Sequence, residues 1–161
     1  MTKKFTIILL LIIAAIIGFA IFRTPSESPV RNDSRSDSGR EGDSDFTVTY
    51  PAGYKVSSAA SGVTTVENEE GRGFQIAVTA FDEPGPITEE RIRQDLPDAE
   101  INEPAWYELD GEKTFVFYGF DEDLGETFEV WTVHGGKLYQ IMGTKTDEEV
   151  ITKTLKTWKW K

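Results

Sequence analysis

Apolar residues fall along this chain in three regimes. Phe5 to Phe22 carries no charge, and its Ile, Leu and Phe cover every side of a helical projection. Arg23 to Asp45 has almost nothing to bury, and from Phe46 onward apolar and polar residues alternate between Gly-, Pro- and Asp-marked turns. The first pattern predicts a membrane-spanning helix: eighteen residues at ~1.5 Å each reach roughly 27 Å, close to the thickness of a bilayer's hydrocarbon core. The second predicts a disordered linker, and the third a folded domain. The divisions are 1–22, 23–45 and 46–161.

Within the third regime, strands are expected at Phe46–Tyr50, ended by Pro51, and at Tyr54–Val56, Val63–Val66 and Phe74–Phe81. A helix is expected from Thr88 to about Leu96, with Thr88 as N-cap and Glu89 and Glu90 in the first turn. Three turn signals then follow in a row. Asp110-Gly111 joins Ala105–Leu109 to Glu112–Phe120, an acidic loop joins Phe120 to Glu126, and Gly135-Gly136 joins His134 to Lys137. The last helix starts at Thr146, where Thr146 and Glu149 have capping-box spacing, and the chain closes on an extended Trp158–Lys161 tail.

Those turns fix a register. A two-residue Gly-Gly turn sets Val133 opposite Leu138 and Val130 opposite Ile141, while the acidic loop sets Val116 opposite Val130 and Phe115 opposite Trp131. One face then carries Val116, Tyr118, Phe128, Val130, Tyr139 and Ile141. The other carries Phe115, Phe117, Trp131, Val133, Leu138 and Met142, interrupted by Glu129 and Gln140. Both faces are apolar, so both must be covered. The C-terminal helix is the expected cover for the first and the Thr88 helix for the second. The sharper expectation is that Phe115, Phe117, Trp131, Leu138 and Gln140 remain partly open and form a partner or ligand face, since aromatics with polar punctuation suit such surfaces.

These residues also carry a resemblance. The opening Phe46-Thr-Val-Thr-Tyr-Pro-Ala-Gly-Tyr-Lys-Val56 resembles the start of PsbP-like domains. So do Leu109-Asp-Gly111 before a long aromatic strand, Gly135-Gly-Lys-Leu-Tyr139, and a last helix running into Leu155-Lys-Thr-Trp-Lys-Trp160. The resemblance covers 46–161 and implies an α+β fold, an antiparallel sheet sandwiched by helices. The family includes the extrinsic photosystem II subunit and many small bacterial exported proteins of unknown role. Its plant and cyanobacterial members act as non-enzymatic assembly or stabilising factors. The motifs transfer no functional residue.

The leader supplies an address. Lys3 and Lys4 form the n-region of an export signal, and the apolar run exceeds the roughly 7–15 residues of a cleaved signal core. An uncleaved single-pass anchor with its C-terminal domain outside the cytoplasm is expected. Gly18-Phe19-Ala20 leaves secretion after signal cleavage as the alternative. Arg23, Arg31 and Arg35 balance the two lysines, so Lys and Arg counts alone do not orient the helix. With no Cys in the chain, a lipid-modified lipoprotein is excluded and the domain folds without disulfides.

Charge and chemistry narrow the function. Residues 46–161 hold 11 Lys and Arg against 22 Asp and Glu, a net charge of −11. That balance opposes nucleic-acid binding and lying flat on anionic lipid. The lone His134 has no second His or Cys to complete a zinc site and reads as a polar strand-end residue. Asp121–Glu126 lacks the ligand spacing of a calcium loop and reads as a solvated turn. Ser57, Ser58 and Ser61 lie outside any nucleophile-elbow frame. No catalytic, cofactor or metal residue is assigned. The expected function is a membrane-anchored, non-catalytic module that binds or scaffolds another envelope protein. The first alternative is a solute- or lipid-binding domain with a pocket beside Trp131 and Phe117; the second is a hydrolase using His134.

Overall fold

A computed structural model describes residues 45–59 and 62–161. The anchor of residues 1–22, and the linker up to Ser44, lie outside the described residues. No described helix is long and apolar enough to cross a membrane.

The elements in chain order are β1 (Phe46–Thr47), β2 (Lys55–Ser58), β3 (Val63–Glu67), β4 (Gly73–Ala80), α1 (Glu89–Asp95), β5 (Asn102–Leu109), β6 (Glu112–Asp121), β7 (Gly125–His134), β8 (Lys137–Thr144), α2 (Glu148–Leu155) and β9 (Lys159–Trp160). Strands β2 to β8 form one antiparallel sheet in the order β2-β3-β4-β8-β7-β6-β5. The expected register holds throughout its centre: Phe115 faces Trp131, Val116 faces Val130, and Val133 faces Leu138. Asp110 and Gly111 have φ of 49° and 91°, the left-handed pair of a two-residue hairpin turn matched to strand twist.

The first sheet face holds the main core. Val66, Phe74, Ile76, Val116, Phe128, Val130, Tyr139 and Ile141 pack there against Ile151 of α2 and Trp158. Helix α2 seats closely because Gly143 has no side chain: a methyl at that position would lie 3.0 Å from Ile151 Cδ1 and 2.9 Å from the Gly73 carbonyl oxygen.

The second face is covered by the connection from β4 to β5. These strands stand third and seventh in the sheet, so residues 81–101 must cross β8, β7 and β6. The other face is already occupied by α2, leaving this one. Phe81, Ile87 and Ile92 are buried along the crossing, and a methyl on Gly119 would come within 3.6 Å of the Glu100 carbonyl oxygen.

Three local expectations are corrected. Thr88 caps α1 as expected, its hydroxyl accepting from Arg91 N at 3.2 Å, but the Thr146 capping box does not form. Thr144 Oγ1 engages Thr146 Oγ1 at 2.7 Å and donates to Asp147 Oδ2 at 2.6 Å, and a 3-10 turn, Lys145–Asp147, delays α2 to Glu148. Strand β1 is only two residues long and pairs with β9 rather than joining the main sheet. Asp45, assigned to the linker, belongs structurally to the domain. Its carboxylate accepts from Lys137 Nζ at 2.6 Å and Tyr139 Oη at 2.7 Å, bonds that hold its pKa below the ordinary value.

Candidate binding groove

The second face is closed, in keeping with the Thr88 helix and its flanking loops as the expected cover, and the sharper expectation of a partly open face is corrected. Phe115, Phe117, Trp131 and Leu138 are buried, with Trp131 and Phe117 only 5 % and 4 % exposed, and Gln140 is half-buried. The four apolar side chains form part of a second core under the crossover rather than a docking surface. An aromatic run, Trp106–Phe115–Phe117–Trp131, crosses it with neighbouring ring centroids 4.9 to 5.9 Å apart. It reaches solvent only at Trp106, on the edge strand.

Glu129 lies within this second core. It is 9 % exposed and accepts from Thr127 Oγ1 at 3.0 Å and Trp131 Nε1 at 3.1 Å. Burial pushes its pKa up to about 7, against the opposing pull of those two hydrogen bonds. The geometry satisfies both oxygens within the fold. Glu129 is a buried titrating group.

Open surface lies instead on the first face, where α2 stops short of the edge strand. A groove of about 500 Å³ runs between β5–β6 and α2. Val116, Phe128, Val130 and Leu109 make its floor, Tyr107 one wall and Leu155 the other. Glu103 and Glu148 border it, with Lys156 as the opposing charge. Tyr118 Oη donates to Glu148 Oε2 at 2.9 Å. That bond, with partial burial and the nearby Glu148 and Glu103 charges, pushes the phenol pKa up to about 12.

Strand β5 forms the outer lip of the groove and the end of the sheet. Trp106 and Tyr107 are 43 % and 64 % exposed, and Lys113 Nζ sits 4.1 Å from the centre of the Trp106 ring. The sequence showed the apolar floor but not the opening, which depends on the length of α2 and on β5 being outermost. The exposed Trp106-Tyr107 pair was the available signal: adjacent strand residues point to opposite faces, so two large aromatics in succession on an edge leave at least one of them against open surface.

The other sites read from sequence lie apart from the groove floor. His134 Nδ1 is 2.8 Å from Glu112 Oε1, and its ring stacks on Trp160 at 4.2 Å, so it braces β9 against the sheet. Asp121 Oδ1 accepts from the backbone N–H groups of Asp123 and Leu124, each at 2.9 Å, folding the acidic loop onto its own backbone. Among the described residues no group of three or more His, Cys, Asp or Glu is placed to hold a metal ion.

No protein-family model matches the sequence, and no curated protein matches it. Among solved structures, the solution structure of cyanobacterial PsbP (CyanoP) from Synechocystis sp. PCC 6803 is similar, with a TM-score of 0.52. The match covers 73 % of this chain and 87 % of that chain at 12 % sequence identity. At this identity the likeness establishes the fold alone: an antiparallel, PsbP-like α+β domain.

Proposed function

We propose that this chain is a membrane-anchored, extracytoplasmic binding or scaffolding module without catalytic function, and that the groove between β5 and α2 contacts another envelope protein. The observation carrying this reading is an open groove with an apolar floor and an acidic border, beside an edge strand that displays Trp106 and Tyr107. Exposed aromatics around an accessible apolar centre are typical of protein contact sites. The apolar leader keeps the domain at the membrane surface, and the polar linker gives it reach toward a neighbour.

A photo-crosslinking residue placed at Tyr107 in the full chain, irradiated in intact membranes, is expected to give a discrete higher-mass product. The same residue at Ser57, on the opposite sheet edge, is expected to give none. Equal labelling from both positions, or no product from Tyr107, removes the reading. A second reading, a solute- or lipid-binding domain, is favoured by the groove's size, which falls within the roughly 300–1,000 Å³ of small-molecule sites. Under that reading, crosslinking at Tyr107 yields only lipid or small-molecule adducts.

A further inference from the structure

The two halves of β5 differ in how they treat their outer edge. In the first half, Glu103 has φ of 50°, the pairing with β6 shifts register between Asn102 and Ala105, and Pro104 has no N–H. A bulge and a proline are standard protections against unwanted strand pairing. From Ala105 to Leu109 neither is present, and the strand runs in regular register with β6.

The hairpin identifies which groups face outward. In a two-residue turn the closing pair, here Leu109 and Glu112, exchanges both hydrogen bonds, and bonded and non-bonded pairs alternate from there. Leu109, Tyr107 and Ala105 therefore bond inward to β6. The N–H and C=O of Trp106 and Glu108 point away from the sheet, on the side where no other described strand pairs with β5.

We propose that the outer edge of Ala105–Leu109 accepts an extended, basic segment of a partner protein as an eighth strand. The inference rests on the binding reading above and specifies its partner's chemistry. Backbone hydrogen bonds from Trp106 and Glu108 fix the incoming strand, and alternate side chains reach opposite faces. One set enters the groove beside Tyr107, where the floor is apolar. The other lies beside Trp106 and Glu108. Glu103 and Glu148 outnumber Lys156 at the groove, and Glu108 faces Lys113 on the other side of the strand. The domain's net charge of −11 selects a cationic segment and disfavours an acidic one. The opposite edge, β2, offers only four residues, Lys55 to Ser58, and three of them are polar or charged.

The test uses the full chain and a synthetic peptide alternating Val and Lys, with its Val and Glu counterpart as control. The Val–Lys peptide is expected to slow hydrogen exchange at the Trp106 and Glu108 amides and leave Ala105 and Tyr107 unchanged, since these are already bonded. The Val–Glu peptide is expected to change none of the four. Glu108→Pro removes one outward donor without touching the β6 ladder, and is expected to weaken Val–Lys peptide binding about tenfold or more. Glu108→Gln, which keeps that donor, is expected to weaken it only about two- to threefold. Peptide binding without protection of Trp106 and Glu108, or no binding at all, overturns strand addition. If the Tyr107 crosslink persists in that case, the binding reading stands and only this inference fails. Loss of the crosslink removes both.

Discussion

Replacing Glu129 with Gln is expected to stabilise the domain at pH 8 and to leave its stability nearly unchanged at pH 4. The carboxyl is 9 % exposed, and its pKa rises from an ordinary 4.5 to about 7 on folding. A raised acid pKa means that the folded chain holds the proton more tightly than the unfolded one. The contribution is fully present below about pH 4.5, where both states are protonated. It is lost as pH rises towards 7, because the unfolded chain releases its proton freely while the folded chain must either keep it or bury a charge. Above 7 the full penalty applies, about 3 kcal/mol, or on the order of 10 °C in melting temperature. Gln fits the same contacts: its carbonyl oxygen accepts from Trp131 Nε1, and its amide donates to Thr127 Oγ1.

The paired carboxylates titrate in the opposite direction. Asp45 and Asp110 have lowered pKa values, through Lys137 and Tyr139 in one case and Lys159 and Trp160 in the other, and lose their contribution as pH falls. The informative quantity is therefore the difference between the wild-type and Glu129→Gln melting curves across pH. A difference that grows from pH 4 to 8 is expected. A variant less stable than wild type at pH 8 contradicts it and places a favourable charge at Glu129.

Trp158→Ala is expected to be the most damaging side-chain truncation. Trp158 is 1 % exposed, stacks on Phe46 with centroids 3.8 Å apart, and meets Tyr139 and Trp160 edge-on. It joins the first and last strands to the main core, so truncation opens a cavity and loosens both termini. A loss of about 3–5 kcal/mol is expected in urea unfolding. Trp158→Phe is expected to cost within about 1 kcal/mol, because the indole N–H is buried with no acceptor among the described residues and its removal offsets lost packing. Equal losses in the two variants would show that the indole N–H is doing something its surroundings do not reveal.

The turn chemistry made much of this fold legible. Asp110-Gly111 and Gly135-Gly136 determine the hairpin registers, and those registers place Val116, Val130 and Ile141 on one face. Burial of the second face was harder to read. Its cover is a crossover whose apolar content is little more than Phe81, Ile87 and Ile92, too sparse to show periodicity, and the need for that crossover follows from strand order. The sharper expectation leaves Trp131 partly open, although a single connection that crosses three strands covers its face. The groove escaped for the related reason that an edge strand and a central strand have similar alternation. Thr146 shows a smaller failure of the same kind: its capping-box spacing is present, but Thr144 and Asp147 offer its neighbourhood a different set of hydrogen bonds.

The central claim is that the β5 edge and its adjoining groove are where this protein meets a partner. Hydrogen exchange across Ala105–Leu109, compared between the full chain in its native membrane and the purified full chain, tests it directly. Slower exchange in the membrane, confined to Trp106 and Glu108 while β2 exchanges equally in both samples, is the expected result. Identical exchange at β5 in the two settings would leave that edge without an occupant and contradict the account.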